Sequence, residues 1–151
     1  MIESATIPDN ELLVKWIKTG LIEEARQHNT ILSAEQEVTL RIVDKEEIRS
    51  LNKTYRHHDK TTNVLSFPFE IPAQLPADMP FALLGDIVVC HAIVVEQALQ
   101  QHKELMAHWA HMVIHGVLHL KGYDHIQDSE ADIMETLEIQ ILEQLGFSNP
   151  Y

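Results

Sequence analysis

His115-Gly116-Val117-Leu118-His119-Leu120-Lys121-Gly122-Tyr123-Asp124-His125 sets three histidines around a glycine with the spacing H-x3-H-x2-G-x2-H. On an α-helix, residues four apart lie one above the other on the same face. His115 and His119 are therefore expected to aim two imidazoles at one point. Gly122 stands where a helix commonly ends in a left-handed residue, a conformation glycine adopts at little cost. A turn there brings His125 back toward the other two. Three imidazoles with a fourth position open is the pattern of a catalytic zinc site. One Zn²⁺ per chain is thus expected on His115, His119 and His125, and other divalent transition metals also suit imidazole.

The spacing is similar to that of the metzincin zinc proteases, H-E-x-x-H-x-x-G-x-x-H. One position departs from it. Gly116 follows the first histidine, where those enzymes carry the glutamate that takes a proton from the metal-bound water. A peptidase reading keeps the metal and loses the base. A helix with histidines that are merely solvated or packed leaves the stop glycine between them unexplained.

The rest of the chain reads as an α+β fold: a small mixed β-sheet packed against a central metal-binding helix that ends in a zincin-like helix-turn site. Its 151 residues, 45% of them apolar, suit one domain spanning 1–151. Ile2 to Ile7 reads as a short edge strand. Asp9 or Asn10 caps a helix carrying Leu12, Leu13, Trp16, Ile17, Leu21 and Ile22, with Gly20 a point where it could break or kink. Val38-Thr39-Leu40-Arg41-Ile42-Val43 alternates with the period of a half-buried strand. Asp44 and Glu47 then form a capping box, and Ile48, Leu51 and Tyr55 give the following helix its apolar face. Asn63 to Phe69 is a strand whose Pro68 marks an edge or an end. Ile71 to Pro80, with three prolines, is a loop. Leu83 to Cys90 is a buried strand. The helix from His91 to His102 turns Ile93, Val94, Ala98 and Leu99 inward. The central helix runs from about Glu104 to Lys121. His108 and His111 lie on its histidine side, His108 at the surface or as a cap and His111 lining the site at most. Asp124 is either a turn residue or the acceptor of a ligand histidine's second N–H. A final helix starts at Asp128, buries Ile133, Leu137, Ile141 and Leu145, and stops at Gly146.

The net charge is −12, which excludes non-specific nucleic-acid binding over the whole surface. Its distribution is uneven. Lys45, Arg49, Lys53, Arg56 and Lys60 hold five of the eleven basic residues, most of them along one helix face that would suit a phosphate track. Glu130, Asp132, Glu135, Glu138 and Glu143 load the final helix with negative charge. The single cysteine, Cys90, forms no intrachain disulfide, in keeping with a reducing cytoplasm. No secretory signal is legible at Met1-Ile2-Glu3-Ser4, and the longest apolar run, Ile87 to Val95, is too short for a bilayer, so no membrane partner is expected.

The block H-G-x-L-H-L-x-G-Y-D-H resembles the signature of the YbeY family of bacterial metal-dependent endoribonucleases. Leu51-Asn52 through Tyr55-Arg56, Thr62-Asn63-Val64-Leu65-Ser66-Phe67-Pro68-Phe69 and Leu84-Gly85-Asp86-Ile87 extend the likeness from about Val38 onward. His57-His58 departs from it, standing where family members often carry Gly-Lys. The resemblance implies cleavage of single-stranded rRNA, chiefly 3′-end maturation of small-subunit rRNA, with a part in ribosome quality control and with ribosomal subunits as partners. It implies that Arg56 serves catalysis beside the metal, together with the ligand His115. The nucleophile is then either a metal-activated water or the RNA's own 2′-hydroxyl. A zinc-containing ribosome assembly factor without activity is the alternative, and a zinc peptidase a weaker one.

Overall fold

The computed structural model describes residues 6–28, 36–69, 83–124 and 127–151. The elements run α1 (Asn10–Gln27), β1 (Glu37–Val43), α2 (Lys45–Arg56), β2 (Val64–Pro68), β3 (Leu83–Cys90), α3 (His91–Gln100), α4 (Leu105–Leu120) and α5 (Asp128–Gln144). This is an α+β architecture with a small mixed sheet, as its periodicities predict, of three strands among the described residues. The expected strand at Ile2 to Ile7 and the loop at Ile71 to Pro80 fall wholly or largely outside the described residues.

The sheet order is β1-β3-β2. β1 runs parallel to β3, and β2 runs antiparallel to it. β3 is thus the central strand. Ile87, Val88, Val89 and Cys90 are buried, which is why this strand reads as a continuous apolar run and not as an alternation. Pro68 ends β2 on the sheet edge, where no ladder N–H is needed.

α4 is the axis of the core. Trp109, Ala110, Val113, Ile114, Val117 and Leu118 are fully buried along it. Each large aliphatic side chain so removed from water contributes about 1.5–3 kcal/mol. The sheet packs on one side of α4 through Gly116, where an added Cβ would lie 2.9 Å from Cγ2 of Ile87. The Ser66 hydroxyl donates to the Gly116 carbonyl at 3.3 Å and ties β2 to the same turn. α1 packs elsewhere along α4 through Gly20, whose absent Cβ would meet Ile114 and Val117 at 3.2 and 3.3 Å. α1 runs unbroken through Gly20, which lets two helices approach.

Three expected inward residues point outward. Ile133, Leu99 and Tyr55 are exposed. In α5 the buried side is Met134, Leu137, Glu138, Ile141 and Leu142, a stripe rotated from the expected one. Tyr55 instead lays its ring against the edge of Phe67, 5.2 Å between centroids. The helix starts follow the expected chemistry. Asp9 accepts from the Leu12 amide at 2.9 Å, and Asp44 from the Glu47 amide at 2.8 Å. Glu47 turns its own carboxylate to Arg41, 2.5 Å away.

Candidate functional site

The end of α4 is shaped by backbone hydrogen bonds. The Gly122 amide donates to the His119 carbonyl and the Tyr123 amide to the Leu118 carbonyl, both at 3.0 Å. This paired closure requires a left-handed residue at Gly122, whose φ is +99°. The chain turns there and carries Tyr123 and Asp124 back toward the histidine face of the helix. His125 lies outside the described residues.

His115 and His119 meet as their spacing predicts, with their Nε2 atoms 2.9 Å apart. They line a cavity of ≈ 410 Å³ together with Arg56, Ser66, Tyr123 and Asp124. Arg56 comes from the end of α2. Its guanidinium donates to the Ser66 carbonyl and lies over the Phe67 ring, 5.3 Å from the centroid. β2 therefore holds a permanent cation at the wall facing the two imidazoles. Of the basic residues in that region, Lys45 pairs with Glu96 and Arg49 with Asp59. Those two charges are partly neutralised, whereas Lys53 and Lys60 are exposed.

Behind His115 stands a group that the charge pattern conceals. Glu138, expected on an acidic surface, is fully buried. One of its oxygens lies 3.1 Å from His115 Nδ1. The other takes His111 Nε2 and accepts the Tyr151 hydroxyl at 2.9 Å. Burial alone would raise the Glu138 carboxyl, but hydrogen bonds from His111 and His115, and their charge, outweigh it and hold the group down at about 2. The Tyr151 phenol is pushed up by burial and by the Glu138 charge beside it. His111, His115 and Glu138 together could hold a metal ion. The sequence signal for Glu138 was a carboxylate at helical spacing within the apolar series Met134, Leu137, Ile141 and Leu142.

His108 is 3% exposed, and so is neither a surface residue nor a cap. Its Nε2 pairs with Gln97 Oε1 at 2.9 Å, and burial pushes the imidazole down to about 4.

The donor set facing the cavity fits a transition metal. Two ligand nitrogens at about 2.0–2.1 Å from one tetrahedral ion stand about 3.3 Å from each other. The 2.9 Å between His115 and His119 is within a small rotation of that value. Position 116, where a metzincin carries its base, faces Ile87 in the core. A carboxylate there would point away from the cavity.

The chain's residues 2–146 match the family model described as Endoribonuclease YbeY. It is similar to Endoribonuclease YbeY of Alcanivorax borkumensis, with 53% identity over 95% of this chain and 78% of that one. It is similar also to Endoribonuclease YbeY of Hydrogenovibrio crunogenus, with 48% identity over 99% of this chain and 91% of that one. Among solved structures, the solution structure of a Thermotoga maritima protein matches with a TM-score of 0.58 and 28% identity, over 92% of this chain and 85% of that one.

Proposed function

Because the chain belongs to the YbeY family of endoribonucleases, we propose that it is a metal-dependent endoribonuclease acting on single-stranded rRNA. Its expected task is maturation of the small-subunit rRNA 3′ end and ribosome quality control in the cytoplasm, with residues 1–151 acting as one domain. The observation that carries this reading is Arg56 standing across one cavity from the converging His115 and His119.

His115 and His119, with His125 completing the set, would hold one Zn²⁺ through their ring nitrogens. When bound, the ion supplies a Lewis acid for a phosphoryl oxygen and brings a water's pKa to about 7. Arg56 donates two parallel hydrogen bonds to the non-bridging oxygens of the scissile phosphate and balances the charge that grows there. Its anchoring on Ser66 and Phe67 means little reorganisation is needed as that charge develops. Lys53 and Lys60, exposed near Arg56 in sequence, offer further contacts to the flanking backbone.

The test is cleavage of a single-stranded fragment spanning the 3′ end of small-subunit rRNA. Metal-loaded protein should cut it. Protein stripped by a chelator should not, and added zinc should restore cutting. Cleavage indifferent to chelation would contradict the reading.

A further inference from the structure

We propose that Glu138 is a positioning residue for the metal centre: its buried carboxylate, held by His111 and by the Tyr151 hydroxyl, accepts the Nδ1 N–H of His115 and so presents Nε2 toward the cavity as the ligand nitrogen. This inference rests on the ligand assignment made under Proposed function.

The geometry is that of a shared acceptor. A carboxylate accepts hydrogen bonds and donates none. Glu138 stands 3.1 Å from His115 Nδ1 and 2.9 Å from the Tyr151 oxygen, with His111 Nε2 on the same oxygen as Tyr151. A carboxylate oxygen 3.1 Å from Nδ1 accepts an N–H there, and a histidine whose Nδ1 is so engaged ligates through Nε2. That is the nitrogen 2.9 Å from His119 Nε2. Metal ligation needs its lone pair, and a carboxylate behind the ring also fixes the ring's angle.

Glu138 suits support better than ligation. It is 0% exposed and does not line the cavity that Arg56, His115 and His119 share, so an ion on it would sit behind His115 and away from that cavity. A catalytic ion keeps a position open to substrate. The cavity lies on the other side of His115, toward Arg56 and His119.

Tyr151 extends the support beyond α5. The chain turns back after α5 at Gly146, and Lys103 Nζ holds the Pro150 carbonyl at 2.7 Å. That clamp sets the Tyr151 ring against His111, 5.3 Å between centroids, with its hydroxyl on Glu138.

The experiment compares the full-length protein with Glu138→Gln and Tyr151→Phe. Two quantities are read: zinc affinity by chelator competition, and the His115 ring tautomer by ¹⁵N chemical shifts in the zinc-free chain. An amide offers one accepting oxygen and turns an N–H₂ toward the remaining donors. Glu138→Gln should therefore populate the His115 Nε2–H tautomer and weaken zinc by about 10–100-fold. Tyr151→Phe, a milder change that leaves the core intact, should weaken it by about 2–5-fold. Unchanged tautomer and affinity in both variants would overturn the inference. His119→Ala and His115→Ala separate ligation by the histidines from support by Glu138. If His119→Ala keeps zinc while Glu138→Gln loses it, Glu138 is a ligand and the inference falls. If His115→Ala keeps zinc at wild-type affinity, the ligand assignment itself falls and takes this inference with it.

Discussion

His115 Nε2 lies 2.9 Å from His119 Nε2, one helical turn along α4. Two ring nitrogens brought that close both face a single point, and an ion there would hold them together. His119→Ala removes one of the pair. The variant should keep its fold, because His119 is only partly buried at the cavity wall, and should bind zinc more weakly by over about a hundredfold. Metal content after dialysis against a weak chelator checks this; one zinc per chain in the variant would refute the ligand role.

Gly116 faces Ile87, and an added Cβ would meet Cγ2, Cδ1 and Cγ1 of that side chain at 2.9, 3.2 and 3.3 Å. Alanine gains about 1 kcal/mol of helix propensity, but overpacking costs about 1–3 kcal/mol. Gly116→Ala should therefore destabilise the chain by up to about 2 kcal/mol. In an Ile87→Ala background the added methyl finds room, so the penalty should vanish or reverse. Equal penalties in both backgrounds, by urea unfolding, would show that the two do not touch.

Gly122 and Gly146 form a matched pair. Both end helices with positive φ, +99° and +90°, and a Cβ at either meets nothing within 4 Å. Alanine at each should cost about 1–2 kcal/mol through backbone strain alone. Only Gly122→Ala should also weaken zinc, because Gly122 turns the chain so that Asp124 reaches the wall of the cavity shared by His115 and His119. Equal zinc affinity in the two variants would detach that turn from the metal site.

His108 makes stability sensitive to acid. Burial, with the charges of His111 and Lys103, lowers its imidazole from 6.5 to about 4. Between those values the unfolded chain takes up a proton that the folded chain refuses. Stability is complete above pH 6.5 and is lost as the pH falls toward 4, by on the order of 2 kcal/mol from this group. His108→Gln should lose less over that window than the wild type. Parallel urea midpoints against pH would contradict the assignment.

The sequence was most legible where local chemistry acts alone. Asp9 and Asp44 cap their helices, β3 spans Leu83–Cys90, and Gly122 and Gly146 end theirs because each rule involves neighbours along the chain. The convergence of His115 and His119 is equally local, since helical spacing alone produces it. Arg56 at the cavity wall was reached only through a resemblance, because its place depends on β2 folding beside α2. Glu138 escaped for a related reason. A glutamate among Glu130, Asp132 and Glu135 looks solvated, and only the packing of α5 on α4 reveals that it faces His111 and His115. The same packing buries Met134 and leaves Ile133 outside. That Gly116 makes room for Ile87 depends on how the sheet docks.

The proposed action of Arg56 on RNA, beside a metal held by histidines, is checked by Arg56→Ala, with zinc content and single-stranded RNA cleavage measured on the same sample. The variant should hold one zinc per chain at wild-type affinity and lose cleavage by about 10²- to 10³-fold. Cleavage at the wild-type rate by a zinc-loaded Arg56→Ala protein would contradict that action.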